Sequence, residues 1–362
     1  MNKQLLEIFK KRYALFVLFG CLAIIGIFLN DSRNNSNRWQ EYNHPNTTNT
    51  IASEATGSTE LLTQYNMENQ SMVFVETGPN SNVYYSFYFN ENFLAAIIIL
   101  AAGFLMFFVD LKTGFNSFLF SLGFPRKHIY FAKYLFIGLP LLLSVLVGKL
   151  LMSLILFFTI PTEFMNLSIP ELLLGIGTSW LTYVFYFACG AFIGLVSGNT
   201  ILGLLTIFGF GLSINFSIPG FVHAVQYALY HDTERYPPLM SNLFSIFITK
   251  SVPLWQGYAV FILLSVVLII FGNTLYNRLS LEKNGNYLLF DNLRLPTLVL
   301  ITFYVPIAFV FSGSNFIGID KSPFPSSFLF SLLAFIIAGG VIFSKEIIRL
   351  QTKLTNNLLN KA

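Results

Sequence analysis

The sequence predicts an all-α polytopic membrane protein of about eight transmembrane helices, and three observations carry that prediction. Of 362 residues, 54% are hydrophobic and only 10% charged, against roughly 25% charged in a soluble domain. The charges are absent from long apolar stretches and gathered between them, as expected when lipid is the solvent for most side chains. The basic residues also fall unevenly on the two sides that alternating spans define.

A spanning helix takes about 20 apolar residues, because the hydrocarbon core is roughly 30 Å thick and a helix rises about 1.5 Å per residue. Eight stretches meet or approach that length: residues 13–29, 93–109, 134–160, 172–196, 201–218, 258–275, 298–312 and 327–343. The third and fourth are long enough to tilt or to extend beyond the bilayer. The fifth and seventh are short or interrupted by Gly or Pro, and a partly re-entrant path fits either. Eight spans put both termini on one side. Fifteen Lys and Arg fall on that side and five on the other, with Lys149 left inside a span. Cytoplasmic loops carry the excess, so both termini are expected in the cytoplasm of a protein of the cell membrane. The formal net charge of +4 says little about a polyanion, and no nucleic-acid partner is expected. Cys21 and Cys189 both lie in apolar runs, where packing is the expected role.

The organisation follows the spans. Residues 1–30 hold a basic, partly apolar start (Leu5, Leu6, Ile8 and Phe9 beside Lys3, Lys10, Lys11 and Arg12) and the first span. That start suits either a short helix in the cytoplasmic interface or an ordinary positive flank. No small-x-small cleavage site follows the span, so it reads as a retained anchor. Residues 31–92 form an external segment, Asn-rich and loop-like at first. Its later runs, Ser71–Val75 and Val83–Phe89, are rich in β-branched and aromatic residues and compatible with a β-hairpin around Gly78-Pro79-Asn80. Residues 93–218 hold helices two to five. Residues 219–257 form a second external or re-entrant segment, where His231, Asp232 and Glu234 are close neighbours in a loop and read as solvated rather than metal-binding. Residues 258–344 hold helices six to eight, and 345–362 form a cytoplasmic tail.

The cytoplasmic stretch between the second and third spans carries the functional argument. Gly114 ends one helix, and Gly123-Phe124-Pro125 breaks the next. What remains is about two turns, with Phe115, Phe118, Leu119 and Leu122 at i, i+3, i+4 and i+7, one face of a helix. Arg126, Lys127 and Lys133 then lead into the third span. By physics alone such a helix lies in the interface or docks in a groove of a cytosolic partner.

The order is an acidic residue leaving the second span (Asp110), a Gly, a short apolar helix, then Pro125-Arg126-Lys127-x-x-Tyr130-x-x-Lys133. This resembles the coupling-helix region, here residues 112–127, of ABC-2-type ABC transporter permeases. In that family the helix sits on the ATP-binding subunit and passes its closure to the membrane helices. The resemblance covers about twenty-five residues closely and the first 275 in layout. The family commonly has six spans, so the last two here are additional. The resemblance implies that Phe115, Phe118, Leu119 and Leu122 dock on a cytosolic ABC ATPase, with Arg126 and Lys127 holding the segment at the surface. It also implies a second permease chain, the same or different, with ATP and Mg on the partner and no cofactor here. The implied function is export of a hydrophobic or amphipathic substrate, such as a peptide or lipid-linked molecule. The competing reading is a membrane sensor or immunity protein that binds a ligand through residues 31–91 and transports nothing.

No Gly-x-x-x-x-Gly-Lys-Ser/Thr phosphate loop occurs, so the chain is not expected to be the ATPase, nor an enzyme in its own right. Lys149 is the one basic residue within a span, with no acidic residue in a predicted span to pair with it. An ionisable side chain there is costly unless it faces the bundle interior, water or a counter-ion. It reads as a pathway or subunit-interface residue, or as a lysine snorkelling from a tilted helix. Gly190, Gly194 and Gly198 recur every fourth residue, a stripe that lets two membrane helices approach closely. Gly203, Gly209 and Gly211 offer a matching surface, for internal packing more than for a dimer seam.

Overall fold

The computed structural model describes residues 3–42, 92–159, 169–230, 254–280, 287–312 and 324–359. Among them the secondary structure is helical apart from turns and one isolated bridge. The helices are α1 (Lys3–Tyr42), α2 (Phe93–Lys112), α3 (Phe115–Ser121) and α4 (Arg126–Lys133). A π-helical turn (Tyr134–Gly138) leads into α5 (Leu139–Thr159), followed by α6 (Ile169–Val196), α7 (Thr200–Tyr230) and α8 (Leu254–Asn277). A 3-10 turn (Asp291–Leu293) opens α9 (Arg294–Phe309), and α10 (Phe324–Ile342) and α11 (Ser344–Leu359) complete the order.

Among the described residues six helices are long and apolar enough to cross a membrane: Gln4–Asn37, Phe93–Lys112, Arg126–Thr159, Gly175–Val196, Asp291–Phe309 and Pro325–Ile342. This is an all-α membrane architecture. The expected fifth and sixth spans lie on α7 and α8, where the apolar stretches among the described residues, Thr200–Ser213 and Phe261–Asn277, are shorter. The expected β-hairpin and the His231, Asp232, Glu234 loop lie outside the described residues.

α1 extends beyond the expected first span at both ends. It is one helix of 40 residues, so neither a separate interfacial helix nor a loop after residue 30 is present. At its start Leu5 and Phe9 are buried, which packs one face of the first turns against the bundle while Leu6, Glu7 and Lys10 are exposed. Past the apolar run, Ser32 is buried with its hydroxyl toward the Met152 carbonyl at 3.5 Å, and Asp31 accepts from Asn92. Likewise residues 221–230, assigned by sequence to an external segment, continue α7.

The chain forms two compact units, Met1–Phe192 with Lys250–Asn277, and Ile193–Thr249 with Arg278–Ala362. In the first, α1 packs along α5, where Gly20 admits Leu141 and Gly148 admits Phe28. α2 and α6 touch backbone to backbone. A Cβ on Gly190 would lie 2.0 Å from the Leu100 carbonyl oxygen, and one on Gly103 would lie 2.3 Å from that of Phe187. Gly190 thus packs against α2, with Gly103 as the reciprocal small residue. Gly209, proposed from sequence for the matching surface, has nothing within 4 Å of its would-be Cβ. In the second unit α9 pairs with α10 around Leu298, Ala338 and Ile342. α7 meets α9 at Gly220, whose Cβ would sit 1.9 Å from the Ile307 carbonyl oxygen. The turn after Val196, which contains Gly198, pairs antiparallel with residues 287–289.

The outer surfaces of the helices are apolar. Leu15, Phe19 and Leu22 on α1, Phe303 on α9 and Ile336 and Ile337 on α10 are all exposed. Such faces fit hydrocarbon rather than water.

Candidate functional site

The first unit is polar in two places, one near each end of α1 and α2. Asp110, in the last turn of α2, is fully buried. An uncompensated carboxylate there would be expensive, and two cations answer it. Lys133, also fully buried, places Nζ 2.7 Å from Asp110 Oδ2. From α1, Arg12 brings its guanidinium 3.2 Å from Oδ1 and donates to Thr113 Oγ1 at 2.8 Å. One carboxylate therefore joins α1, α2 and the end of α4.

The same network holds α3. Asn116, buried on α3, accepts at Oδ1 from Lys133 Nζ and from the Tyr276 hydroxyl, each at 3.2 Å. Arg12 stacks over the Phe115 ring at 3.9 Å. Lys133 lies 4.9 Å and 5.5 Å from the Phe107 and Tyr276 ring centroids, so aromatic faces supply the rest of its shell. Immediately after Lys133 the chain widens into the π turn, a feature found frequently at functional sites.

This arrangement divides the predicted docking face. Leu119 is fully buried and Phe115 half-buried, whereas Phe118 is 47% and Leu122 40% exposed. Asn116 takes an inward position that periodicity assigns to none of the four, because the interior cations and Tyr276 need its oxygen. α3 is short because positive-φ glycines bound it: Gly114 at 68° and Gly123 at 73°. Only glycine holds that left-handed conformation at little cost. Arg126 also makes contacts within the chain. It donates to the Asn277 carbonyl at 3.0 Å and lies 4.4 Å from the Phe120 ring centroid, fixing α4 to the end of α8. Lys127 and His128 are exposed.

The second polar place surrounds Lys149. This lysine is 4% exposed and hydrogen-bonds Ser179 on α6, with Phe28 and Tyr183 rings each 5.9 Å away. Asp31 lies within electrostatic reach of it, a counter-charge that the sequence placed outside the span. Asn92 organises the surroundings. Its Oδ1 caps α2 by accepting from Ala95 at 3.0 Å, and its Nδ2 donates to Asp31 Oδ2 at 2.6 Å. Its backbone N–H donates to the Tyr183 hydroxyl at 2.8 Å.

The two polar places are one membrane thickness apart. Asn92 and Asp110 stand eighteen residues apart on one helix, about 27 Å at 1.5 Å per residue. Arg12 and Asp31 stand nineteen apart on α1, about 28 Å. The hydrocarbon core is roughly 30 Å. Lys149 reaches the Asp31 end of these helices, while the apolar and exposed Leu150, Leu154 and Phe158 continue beyond it on α5.

Sequence reasoning named Asp110, Arg12 and Lys133 as flanks without seeing that they meet, and it missed Asn116. The available signal was Asp110 itself, an acid directly after eighteen residues without charge. Among the described residues no group of three His, Cys, Asp or Glu gathers as a metal site. No protein-family model, no curated protein and no solved structure matches the chain.

Proposed function

We propose that this chain is the membrane-spanning permease subunit of an ATP-driven ABC transporter. It sits in the cell membrane with both termini cytoplasmic and exports a hydrophobic or amphipathic substrate, a peptide or lipid-linked molecule. ATP is hydrolysed on a separate cytosolic subunit, and a second permease chain completes the pathway. The observation that carries the reading is the mounting of α3. Its exposed edge, Phe118 and Leu122, is a two-residue apolar contact at the end of a span. Its buried edge, Asn116 and Leu119, is fixed to the Arg12–Asp110–Lys133 network. A load applied to the exposed edge passes through Asn116 and the Arg12–Phe115 stack into α1, α2 and α4 together. That rigid linkage is what a partner needs if its closure is to bias two states of the membrane helices.

The docking surface is accordingly Phe118 and Leu122 with Lys127, while Phe115, Leu119 and Arg126 support it from behind. The test is purification of the tagged chain in mild detergent from its host membranes, with co-purifying proteins identified. A stoichiometric P-loop ATPase is expected, lost on Phe118→Asp while the variant keeps the parent's elution profile and melting temperature. No ATPase in several detergents, or an ATPase retained by Phe118→Asp, refutes the docking assignment and moves the reading to a sensor acting through residues 31–91.

A further inference from the structure

α11 is unlike the other long helices. α10 ends at Ile342 and α11 begins at Ser344, so it starts where a candidate span stops. Ile347 and Ile348 are exposed, and so are Arg349, Gln351, Thr352 and Lys353. In the sequence Leu350, Leu354 and Leu358 follow Ile347 at i+3, i+7 and i+11. Lys345, Arg349 and Lys353 recur every four residues in the sequence, and Arg349 and Lys353 are exposed. Its one acidic residue, Glu346, is paired with Arg294 at the start of α9, and Arg294 also holds Asp291 at 2.7 Å. The helix therefore presents an apolar stripe and a basic stripe whose only carboxylate is already engaged.

We infer that α11 is a lipid-binding arm that lies along the membrane surface where α10 ends, with its Ile347 stripe in the acyl boundary and Arg349 and Lys353 among anionic headgroups. An interfacial helix is recognised by an apolar face, a Lys/Arg-rich polar face and low overall hydrophobicity, and α11 has all three. Its position supplies the surface, because one residue separates it from a span. The Arg294–Glu346 pair fixes its first turn to α9, so the helix cannot simply slide outward as an extension of α10. Charge complementarity selects the headgroup. Three cations with one neutralised anion favour an anionic leaflet, and a helix diameter of about 10 Å keeps the basic side chains close to the roughly 8 Å screening length of physiological salt. A neutral bilayer would be offered the apolar stripe alone. This assignment is independent of whether the chain transports anything.

The experiment uses the full chain in nanodiscs, in a Cys21→Ala/Cys189→Ala background. An environment-sensitive dye is attached at Ile347→Cys or, on the opposite face, at Thr352→Cys. In discs of phosphatidylcholine mixed with phosphatidylglycerol, the dye at 347 should be quenched by spin-labelled lipid and protected from iodide. The dye at 352 should show the reverse. Arg349→Glu/Lys353→Glu should lower the ratio of surface-bound to free helix by roughly fivefold for each cation replaced, as should discs of phosphatidylcholine alone by a comparable total. These exposed substitutions test the charge without threatening the fold, and the parent's melting temperature verifies that. Equal iodide access at 347 and 352 in every membrane means that α11 projects into water and overturns the inference. Protection at 347 that persists in detergent and ignores both lipid charge and charge reversal means that protein covers the stripe, and overturns it equally.

Discussion

Replacing Asp110 with asparagine keeps the shape of the side chain and removes the one anion of its network. In the parent, Lys133 Nζ and Asp110 Oδ2 are 2.7 Å apart and both side chains are fully buried. At an effective dielectric constant near 20 that separation gives a gross attraction of about 6 kcal/mol, offset by several kcal/mol of desolvation for each ion. The net value of the pair is therefore small, yet breaking it is not. Asp110→Asn leaves Lys133 buried without a counter-ion, its partners reduced to neutral amide oxygens and two aromatic faces, and should cost about 3–5 kcal/mol. Lys133→Met is the milder change, because Arg12 still compensates the carboxylate from 3.2 Å, and should cost about 1–2 kcal/mol. The two combined should be more stable than Asp110→Asn alone, since the second substitution removes the stranded charge. Reversible unfolding in mixed micelles, read by far-ultraviolet circular dichroism, measures all four proteins. An Asp110→Asn variant within about 0.5 kcal/mol of the parent, or a double variant less stable than Asp110→Asn, refutes the reasoning.

Two further outcomes follow from contact geometry and one charge. Gly190→Ala drives a Cβ into the backbone of α2, 2.0 Å from the Leu100 oxygen, and should destabilise by about 3 kcal/mol in the same assay. Gly209→Ala meets nothing within 4 Å and should be neutral or stabilising by up to about 1 kcal/mol; equal costs at the two positions would discard the α2–α6 close approach. The Glu346 carboxyl is held below the ordinary carboxylate range by its own backbone N–H at the helix start and then by Arg294. A depressed folded-state pKa makes the tie fully present above about 4.3 and lost as pH falls through the lower folded value. Trypsin cleavage at Arg349 should therefore be unchanged between neutral and mildly acidic pH after correction for the enzyme's own profile. A dye on Ile347→Cys should then show an acid transition that Glu346→Gln abolishes. A transition near neutral pH contradicts the assignment.

The sequence by itself determined the solvent of this protein and the kind of secondary structure that follows. Where charge is absent for sixteen residues or more, backbone groups have no water to bond and must bond along the chain, so helices are the available answer. Local chemistry also determined where α3 lies, because Gly114, Gly123 and Pro125 restrict the backbone whatever packs around them. Periodicity then assigned Phe115, Phe118, Leu119 and Leu122 to one face, and there it stopped being sufficient. A helix of two turns is oriented by its neighbours more than by its own stripe, and the neighbours are Arg12, Lys133 and Tyr276, distant in the chain. They demand Asn116, and the face rotates to supply it, leaving Phe118 and Leu122 outside and Leu119 within. Lys149 has the same history. Within its own span no acid is available, so sequence leaves it unanswered; the tertiary structure brings Asp31 from α1, Asn92 from the start of α2 and Ser179 from α6 to one level. A hydropathy pattern is a property of each segment alone, whereas the pairing of ions across helices depends on which helices meet and at what height, and packing alone decides that.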